Sequence, residues 1–494
     1  MTENKPASQK KSNYFYLISF LLIIASIFLT WTSWASGTVG IADALPCVWN
    51  TAKETLADQG LSIFSFAFFL YAILESKVFE SLFASRNEWL KKRKYFAIAL
   101  ITIGVAILSA SLSWFDEYIH FYPLIIPLFL AMGFDFFSAF LCLYGGSIAG
   151  LIGLASPERM GKYIRNQCGV GTSIKFDGLF GIDFRLLFFA IFTAIIVLFN
   201  IWYCNKIEQK KEADKDELIK EKNSYPFDKT RKIVLFVAGF FLIISILGQF
   251  APFAKMIERS KITDKTPEEF TGKYEEKEHE DLGEIGNGEV KVAKVVTDAK
   301  KSYWGRFGNW NTRSLDCWFI FGGIIICLIT KLNVAKTFVV AAQNGLPLLF
   351  IYVLSAAPAE IIKGSGFSDG LAGKILPETS SPNAGFLMLF SIFVLSAIVG
   401  FFICSTAITA SLVSVSRPAL LAISSQTFIY AGIFSWVGGI LGMAFSPTNG
   451  ILVASLERSE TSYKEFIKKT WKLWLIVTLV TFGLVFFWAK FIIK

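Results

Sequence analysis

Long apolar runs alternate with short polar segments along most of this chain. Runs of about 20 apolar residues are long enough to cross a lipid bilayer as helices. Such runs cover residues 14–34, 124–143, 184–201, 233–253, 315–332, 384–404 and 473–493. The pattern therefore predicts an all-α polytopic membrane protein. The first run is too long for the apolar core of a signal peptide, so we expect it to remain as a membrane helix.

The same order of segments occurs twice along the chain. In each half an apolar helix runs into a polar turn, a Ser- or Thr-rich apolar segment follows, and a later helix is interrupted at Ser156-Pro157 or Ser446-Pro447. Proline removes a backbone donor and forces the preceding residue out of helical geometry. Paired breaks of this kind are typical of transporter binding sites, because unpaired backbone groups are costly in lipid. Glycine and proline are common in membrane helices generally, but two breaks at corresponding positions favour a shared site.

Hydroxyl-rich segments precede both breaks. Small hydroxyl side chains pack membrane helices together, and at the tips of re-entrant hairpins their oxygens can also hold a dehydrated Na⁺. Both interpretations are open here. The candidate residues at the two tips and the two breaks are Ser109, Ser111, Ser113, Ser156, Pro157, Ser405, Thr406, Thr409, Ser446, Pro447, Thr448 and Asn449.

Three charged residues close to apolar runs are further candidates. Asp116 and Glu117 lie either at membrane depth, where charges are costly and usually functional, or in an exposed loop. A buried pair of carboxylates suits a cation, a coupling proton or the amino groups of a basic amino acid. Arg417, just before Pro418, either binds a substrate carboxylate or extends to the membrane interface.

Charge distribution sets the expected topology. Of the 494 residues, 54% are hydrophobic and 18% charged, and the net charge is +9. Basic clusters follow alternate apolar runs. Because basic loops of membrane proteins face the cytoplasm, we expect the N-terminus to be cytoplasmic. We expect the membrane to be the plasma membrane. Five basic residues disagree with this topology, because they would lie toward the outside: Arg159, Lys162, Arg165, Lys175 and Arg185.

The expected organisation has six parts and two internal features in each repeat. The parts are a cytoplasmic tail (1–13), a first membrane repeat (14–204), a cytoplasmic linker (205–232), a membrane helix (233–253), a polar extracellular insert with short alternating stretches (254–313) and a second membrane repeat (314–494). The features are hairpins at about 95–121 and 384–416 and broken helices at 122–175 and 418–456.

Several function classes are disfavoured. The chain has no Gly-x-x-x-x-Gly-Lys-Ser/Thr loop, which disfavours an ATP-driven pump. Two histidines and seven isolated cysteines offer little material for a metal or catalytic cluster, so we predict no cofactor, no catalytic residue and no metal other than a transported or coupling Na⁺. Cytoplasmic loops explain the positive charge without a nucleic-acid partner.

Two short elements resemble a known family. Residues 121–128, Phe-Tyr-Pro-Leu-Ile-Ile-Pro-Leu after an acidic pair, resemble the EETIPFYPLLVPL element of the YfcC-type C4-dicarboxylate anaerobic carrier (DcuC-like) family. Residues 446–450, Ser-Pro-Thr-Asn-Gly, resemble its SPTSG element. The chain departs from the family at the tips and at the first break: Ser109 and Ser113 replace expected glycines, residues 404–409 replace PSGSGQ, and Ser-Pro-Glu-Arg replaces NPFA.

This resemblance implies an ion-transporter-superfamily fold with inverted repeats, two re-entrant hairpins, two broken helices and about nine to eleven spans. It implies an elevator-like mechanism and a homodimer formed through scaffold helices. We therefore expect a secondary active transporter in the lipid bilayer. Its substrates would be amino acids, including arginine and ornithine, or organic acids, moved by Na⁺- or H⁺-coupled symport or by exchange. The alternatives are a C4-dicarboxylate carrier, a channel or a membrane-embedded enzyme.

Overall fold

The computed structural model describes most of the membrane-embedded chain. The described residues are 7–33, 35–56, 60–85, 92–113, 117–168, 181–211, 227–248, 310, 312–367, 370, 374 and 384–492. Nearly all of the 254–313 insert and the centre of the 205–232 linker lie outside these residues, so the expectations for those two segments stay predictions.

Helices account for nearly all of the described chain, and we number them in order. They are α1 Ala7–Thr30, α2 Ile41–Thr55, α3 Leu61–Glu75, α4 Val78–Ser85, α5 Lys94–Leu112, α6 Tyr122–Ala131, α7 Phe136–Ile152, α8 Pro157–Lys162, α9 Ile182–Lys211, α10 Lys229–Leu247, α11 Thr312–Thr330, α12 Val334–Gly364, α13 Ala384–Ile403, α14 Thr406–Val415, α15 Arg417–Ile423, α16 Ser425–Met443, α17 Gly450–Arg458 and α18 Tyr463–Phe487.

The order of elements in α5–α9 is repeated in α13–α18. Each set begins with a long helix, of 19 residues in α5 and 20 in α13. Each of these helices ends at a residue other than glycine in the left-handed conformation, Ser113 with φ 58° and Cys404 with φ 52°. Shorter helices follow, and α14 and α15 meet at an angle of 61°. A long helix, a break, a short helix and a closing long helix complete each set.

The broken helices α7 and α16 run antiparallel where they meet. Tyr144, in the middle of α7, contacts Ala444 just beyond the end of α16. Trp436, in α16, contacts Leu151 near the end of α7. Higher residue numbers on one helix therefore pair with lower numbers on the other, which is the relation that two repeats of opposite orientation require.

Close helix approaches fix the position of each broken helix beside the long helix of its own repeat. A Cβ atom at Gly150 in α7 would lie 2.3 Å from the carbonyl oxygen of Ala106 in α5. A Cβ atom at Gly442 in α16 would lie 2.1 Å from the carbonyl oxygen of Ala397 in α13. Glycine at these positions allows backbone-to-backbone packing, the usual way in which membrane helices associate.

The buried hydrophobic residues form four apolar clusters, two of them large. The larger of these two, which we call the break cluster, joins α5–α9 with α13–α18 and with Leu348 and Ile351 of α12. The other, which we call the flanking cluster, joins α3, α10 and α11 with Leu112 at the end of α5. Helix α12 packs on α13 and α14 through Ala359 and Ile362. The breaks thus lie inside one packed body, with a second body beside it.

Among the described residues, seven helices are long and apolar enough to cross a membrane, or eight if the bent pair α14–α15 forms one span. Five shorter apolar helices of 10–17 residues accompany them, at Tyr16–Thr30, Leu61–Glu75, Glu117–Ala131, Phe136–Ile152 and Ser314–Thr330. The predicted all-α polytopic fold with two broken helices is confirmed.

Candidate functional site

The first break lies between Ile152 and Pro157. Proline suits the first position of α8, because it has no amide hydrogen to leave unpaired there. The amides of Ala155 and Ser156 both donate to the carbonyl oxygen of Ala110 in α5, at 3.0 and 3.2 Å. The Ser156 hydroxyl accepts from the Arg159 amide at 3.3 Å and caps α8. The break is therefore bonded to the last turn of α5, next to the first tip.

A buried arginine occupies the same break. Arg185, the fourth residue of α9, is 1% exposed. Its Nη1 atom donates to the carbonyl oxygen of Leu154, and also to that of Ser156 at 3.4 Å. Both carbonyls belong to the interruption between α7 and α8, where the regular helical hydrogen bonds to backbone carbonyls are lost. A cationic donor therefore satisfies backbone oxygens that the break leaves without helical partners.

The second break is satisfied by neutral side chains. The Ser446 hydroxyl donates to the carbonyl oxygen of Phe401 and lies 2.7 Å from the Thr448 hydroxyl. Thr448 lies 3.0 Å from the Cys404 thiol at the second tip. The second break is therefore bonded to the last turn of α13, as the first break is bonded to the last turn of α5.

Asn449 holds both sides of the second break. Its side-chain oxygen accepts from the amides of Ile451 and Leu452, at 3.0 and 3.3 Å, and so caps α17. Its side-chain nitrogen donates to the carbonyl oxygen of Met443 at 2.9 Å. The Tyr463 hydroxyl, at the start of α18, donates to the carbonyl oxygen of Phe445 at 2.7 Å.

Each broken helix donates a hydrogen bond to the end of the other, beside or within its break. The Trp436 indole nitrogen donates to the carbonyl oxygen of Leu151 at 2.7 Å, and the Tyr144 hydroxyl donates to that of Ala444 at 2.5 Å. Trp436 is half-buried and Tyr144 is fully buried. The two breaks, distant in sequence, therefore meet in one region of the protein.

A buried tyrosine connects the first break to the second tip. Tyr163 follows α8 in a short π-helical turn, and its hydroxyl lies 2.9 Å from the Ser435 hydroxyl and 3.2 Å from the Thr409 hydroxyl. It also donates to the carbonyl oxygen of Thr406 at 3.4 Å. Three hydroxyls and a carbonyl from both repeats thus converge on one point.

The predicted tip residues have different environments. Ser109 donates to the Ser147 hydroxyl at 3.1 Å, and Ser111 donates back to the carbonyl of Ile107 at 2.6 Å, so both pack within the first repeat. The hydroxyl of Ser113 is buried, and the described residues offer it no hydrogen-bond partner. Ser405 caps α14 by accepting from the Ile408 amide.

The remaining candidates lie at helix ends. Glu117 begins a 3₁₀ turn before α6, and Arg417 begins α15 with a half-buried side chain. Pro157 begins α8 and Pro447 lies within the second break. Asp116 lies outside the described residues.

Several residues of this region were not predicted from the sequence. They are Tyr144, Tyr163, Arg185, Trp436 and Tyr463. Arg185 did give a signal, because its charge disagreed with the expected topology. The aromatic residues gave none, because Phe, Trp and Tyr make up 16% of the chain and no spacing distinguishes the donors among them.

The polar groups described at the two breaks are mainly neutral oxygens, together with one buried cation, Arg185. Arg185 and Asp316, 4% exposed, are the charged side chains that are buried within the described residues. Asp316 lies in the flanking cluster, where Ser65 donates to it at 3.3 Å. The described part of the chain contains no group of three His, Cys, Asp or Glu residues that could hold a metal ion.

Individual proteins similar to this chain are distant. An uncharacterized protein of Haemophilus influenzae is 23% identical over 157 residues, which are 29% of this chain and 30% of that protein, so the match spans less than a third of its length. The structure of Neisseria gonorrhoeae MtrF, described with a class of antimetabolite efflux pumps, matches 96% of this chain and 94% of its own at 12% identity, with a TM-score of 0.42. The Alcanivorax borkumensis YdaH transporter matches 98% and 99% at 14% identity, with a TM-score of 0.44.

A family model covers most of the chain. The model of the C4-dicarboxylate anaerobic carrier, DcuC, matches residues 78–489, which include both tips, both breaks and the closing helices of both repeats. The resemblance inferred from residues 121–128 and 446–450 is thereby confirmed. This protein is a multi-pass membrane carrier and belongs to the DcuC, or C4-dicarboxylate anaerobic carrier, family.

Proposed function

We propose that the protein is a secondary active transporter of the plasma membrane, with a cytoplasmic N-terminus, that moves amino acids or organic acids. Arginine and ornithine are the leading substrates. Transport proceeds by symport with Na⁺ or H⁺, or by exchange of one solute for another. C4-dicarboxylates are the second candidate, favoured by the description of the family.

One observation carries this proposal: each broken helix hydrogen-bonds to the other beside or within its break, through Tyr144 and Trp436. Polar backbone in the middle of a membrane persists where it lines a cavity or binds a ligand. A substrate between the two breaks would contact both repeats at once. A small change in the relation between the repeats would then change its binding, as alternating access requires.

The helix ends around the breaks support a substrate that carries a carboxylate. Helices α14 and α17 begin there, capped by Ser405 and Asn449. The amino-terminal end of a helix carries a partial positive charge and favours a negative group. Amino acids and organic acids share this group, and Arg417 at the start of α15 could pair with it as well.

The division into two large apolar clusters supports an elevator-like movement. The break cluster contains residues of both breaks and Cys404 of the second tip, whereas the flanking cluster contains α3, α10 and α11 together with Leu112 of the first tip. In the proposed cycle the helices α5–α9 and α13–α18 move as one body against the flanking helices and α12, carrying the substrate with them. Pairing of two copies through the flanking helices would hold those helices still.

Uptake into liposomes tests the function. The purified protein is reconstituted and supplied with labelled arginine, ornithine and succinate, with and without a Na⁺ gradient and with and without unlabelled solute inside. We expect saturable uptake of at least one amino acid, stimulated by the gradient or by internal solute. Saturable uptake of succinate alone would favour the second candidate, and flux that does not saturate would identify a channel.

Carboxylate variants test the acidic pair. We expect Asp116→Asn and Glu117→Gln to abolish uptake without reducing expression, because the pair would hold a cation, a proton or a substrate amino group. Glu80→Gln is the control, since Glu80 pairs with Lys77 on an exposed surface at 2.8 Å. Wild-type uptake by both variants would assign the pair to a passive loop.

A further inference from the structure

The first break contains a permanent positive charge, whereas the residues that satisfy the second break are neutral. In the second break the described donors are hydroxyls and an amide, from Ser446, Tyr144, Tyr463 and Asn449. In the first break Arg185 donates to the carbonyl oxygens of Leu154 and Ser156. Unwound backbone carbonyls at broken helices are the groups that coordinate the coupling cations of transporters. A guanidinium therefore already holds oxygens that a metal cation would otherwise use.

The position of Arg185 within its repeat supports a specific role. Arg185 is the fourth residue of α9 and donates to the break of its own repeat. In the second repeat Tyr463, the first residue of the closing helix α18, donates to the carbonyl oxygen of Phe445 at 2.7 Å. A neutral hydroxyl is thus sufficient to bond the closing helix to the break in one repeat. The charge of Arg185 has to be explained by what it contacts, because burying an ion is costly.

The surroundings of Arg185 favour a cation that stays in place. The hydrogen bonds described for it within the first break go to the main-chain carbonyls of Leu154 and Ser156, which cannot take up or release a proton as a carboxylate does. Asp183, two residues earlier, and Tyr430 interact with it electrostatically, but the side chain of Asp183 is exposed. A guanidinium is charged at all physiological pH values.

We propose that Arg185 is a resident cation of the first break, so that the carrier needs no free cation bound to the Leu154 and Ser156 carbonyls. This inference rests on the proposed function, since a resident charge affects coupling only in a carrier that binds ions. It makes Arg185 a positioning residue that fixes the first break through its charge. A coupling cation, where one is used, binds elsewhere.

The test compares Arg185→Gln with Arg185→Lys. Glutamine keeps a hydrogen-bond donor and removes the charge, whereas lysine keeps the charge and loses the planar fork. The control is Arg231→Gln, because Arg231 also donates to a carbonyl, that of Ser76 at 3.4 Å, in a different part of the protein. Thermal unfolding of each purified protein is measured without substrate in choline chloride, sodium chloride and millimolar guanidinium chloride at equal ionic strength.

We expect Arg185→Gln to unfold several degrees higher in sodium or guanidinium than in choline, with a shift that grows with cation concentration as ligand binding requires. The wild type, Arg185→Lys and Arg231→Gln should show a smaller shift or none. Equal behaviour of Arg185→Gln and the wild type in the three salts would overturn the proposal. So would an Arg185→Gln protein that fails to fold in every salt, because a free cation could then not replace the side chain.

This readout is independent of transport. A wild-type protein that transports none of the tested solutes would count against the proposed function, and the salt dependence of unfolding would still decide whether Arg185 acts as a resident cation.

Discussion

Both breaks leave backbone carbonyls without helical hydrogen-bond donors, and different side chains donate to them in each break. At the first, the carbonyls of Leu154 and Ser156 receive hydrogen bonds from the buried guanidinium of Arg185. At the second, side-chain hydroxyls and an amide donate to carbonyls at and beside the break. The Ser446 hydroxyl donates to that of Phe401, and the Asn449 amide donates to that of Met443. Repeats that share an order of helices therefore need not share a binding chemistry. The similarity of the breaks lies in their geometry, and the difference lies in their charge.

The largest effect is expected where the two breaks are most alike, in the close helix approaches. A Cβ atom at Gly442 would lie 2.1 Å from the Ala397 carbonyl oxygen, and one at Gly150 would lie 2.3 Å from that of Ala106. Backbone atoms cannot move aside as a flexible side chain can, so we expect Gly442→Ala and Gly150→Ala each to cost about 3 kcal/mol. Fluorescence-detected gel filtration of the solubilised protein would show the loss of folded material.

Gly483→Ala is the matched control, because a Cβ atom there would have no neighbour within 4 Å. It should fold as well as the wild type. If only one of the two break glycines tolerates alanine, the two helix packings are not equivalent.

A smaller and unequal effect is expected at the helix caps. Asn449 accepts from two amides and donates to the Met443 carbonyl, whereas the Ser156 hydroxyl accepts from one amide. Since loss of a cap costs about 0.5–2 kcal/mol and Asn449→Ala also removes one of the two donors to the Met443 carbonyl, the other being the Ser446 amide at 3.3 Å, we expect Asn449→Ala to cost about 1 kcal/mol more than Ser156→Ala. Thermal unfolding of both variants measures the difference. Equal losses would mean that the Met443 contact contributes nothing.

The bonds exchanged between the breaks should have moderate and coupled effects. Tyr144→Phe and Trp436→Phe each remove one donor to the opposite break. Hydrogen bonds between membrane helices contribute about 0.6 kcal/mol on average and up to about 1.7. If the two bonds hold one arrangement, the double variant should lose less than the sum of the single variants. Strict additivity in a double-mutant cycle would show that the two breaks respond independently.

The smallest effect concerns the two tips. Ser113 and Cys404 both adopt the left-handed conformation, which costs a side-chain-bearing residue about 1 kcal/mol relative to glycine. Ser113→Gly should therefore raise the unfolding temperature slightly. Cys404→Gly should gain less, because it also loses the contact with Thr448 at 3.0 Å. A destabilised Ser113→Gly would indicate that its hydroxyl has a partner outside the described residues.

The architecture of the protein could be predicted from the sequence better than its individual side-chain contacts could. Apolar runs and two Ser-Pro interruptions were enough for the membrane class and the broken helices, because lipid allows few backbone arrangements. Ser446, Thr448 and Asn449 were identified as candidates from the Ser-Pro-Thr-Asn stretch, and they form the second break. Periodicity and motif spacing are local, so they carried this information well.

Contacts across hundreds of residues had no local signal. Tyr144 and Ala444 are separated by 300 positions, and no pattern near Tyr144 distinguishes it from other aromatic residues. Arg185 was visible as a charge that fitted the topology poorly, but the sequence could not show that its partners are the carbonyls of the first break. Hydroxyls that return to their own helix, such as that of Ser111, cannot be separated by composition from those that face another helix.

The exchanged bonds also have a consequence for biosynthesis. The carbonyl of Leu151 receives its bond from Trp436, 285 positions later in the chain. During synthesis the first repeat therefore enters the bilayer before its partner has left the ribosome, and its interrupted helix lacks that donor in the meantime. The Leu151 carbonyl meanwhile keeps a bond from the Leu154 amide at 3.2 Å, so the first repeat can insert with its break bonded within itself, and the Trp436 bond is added only when α16 is in place.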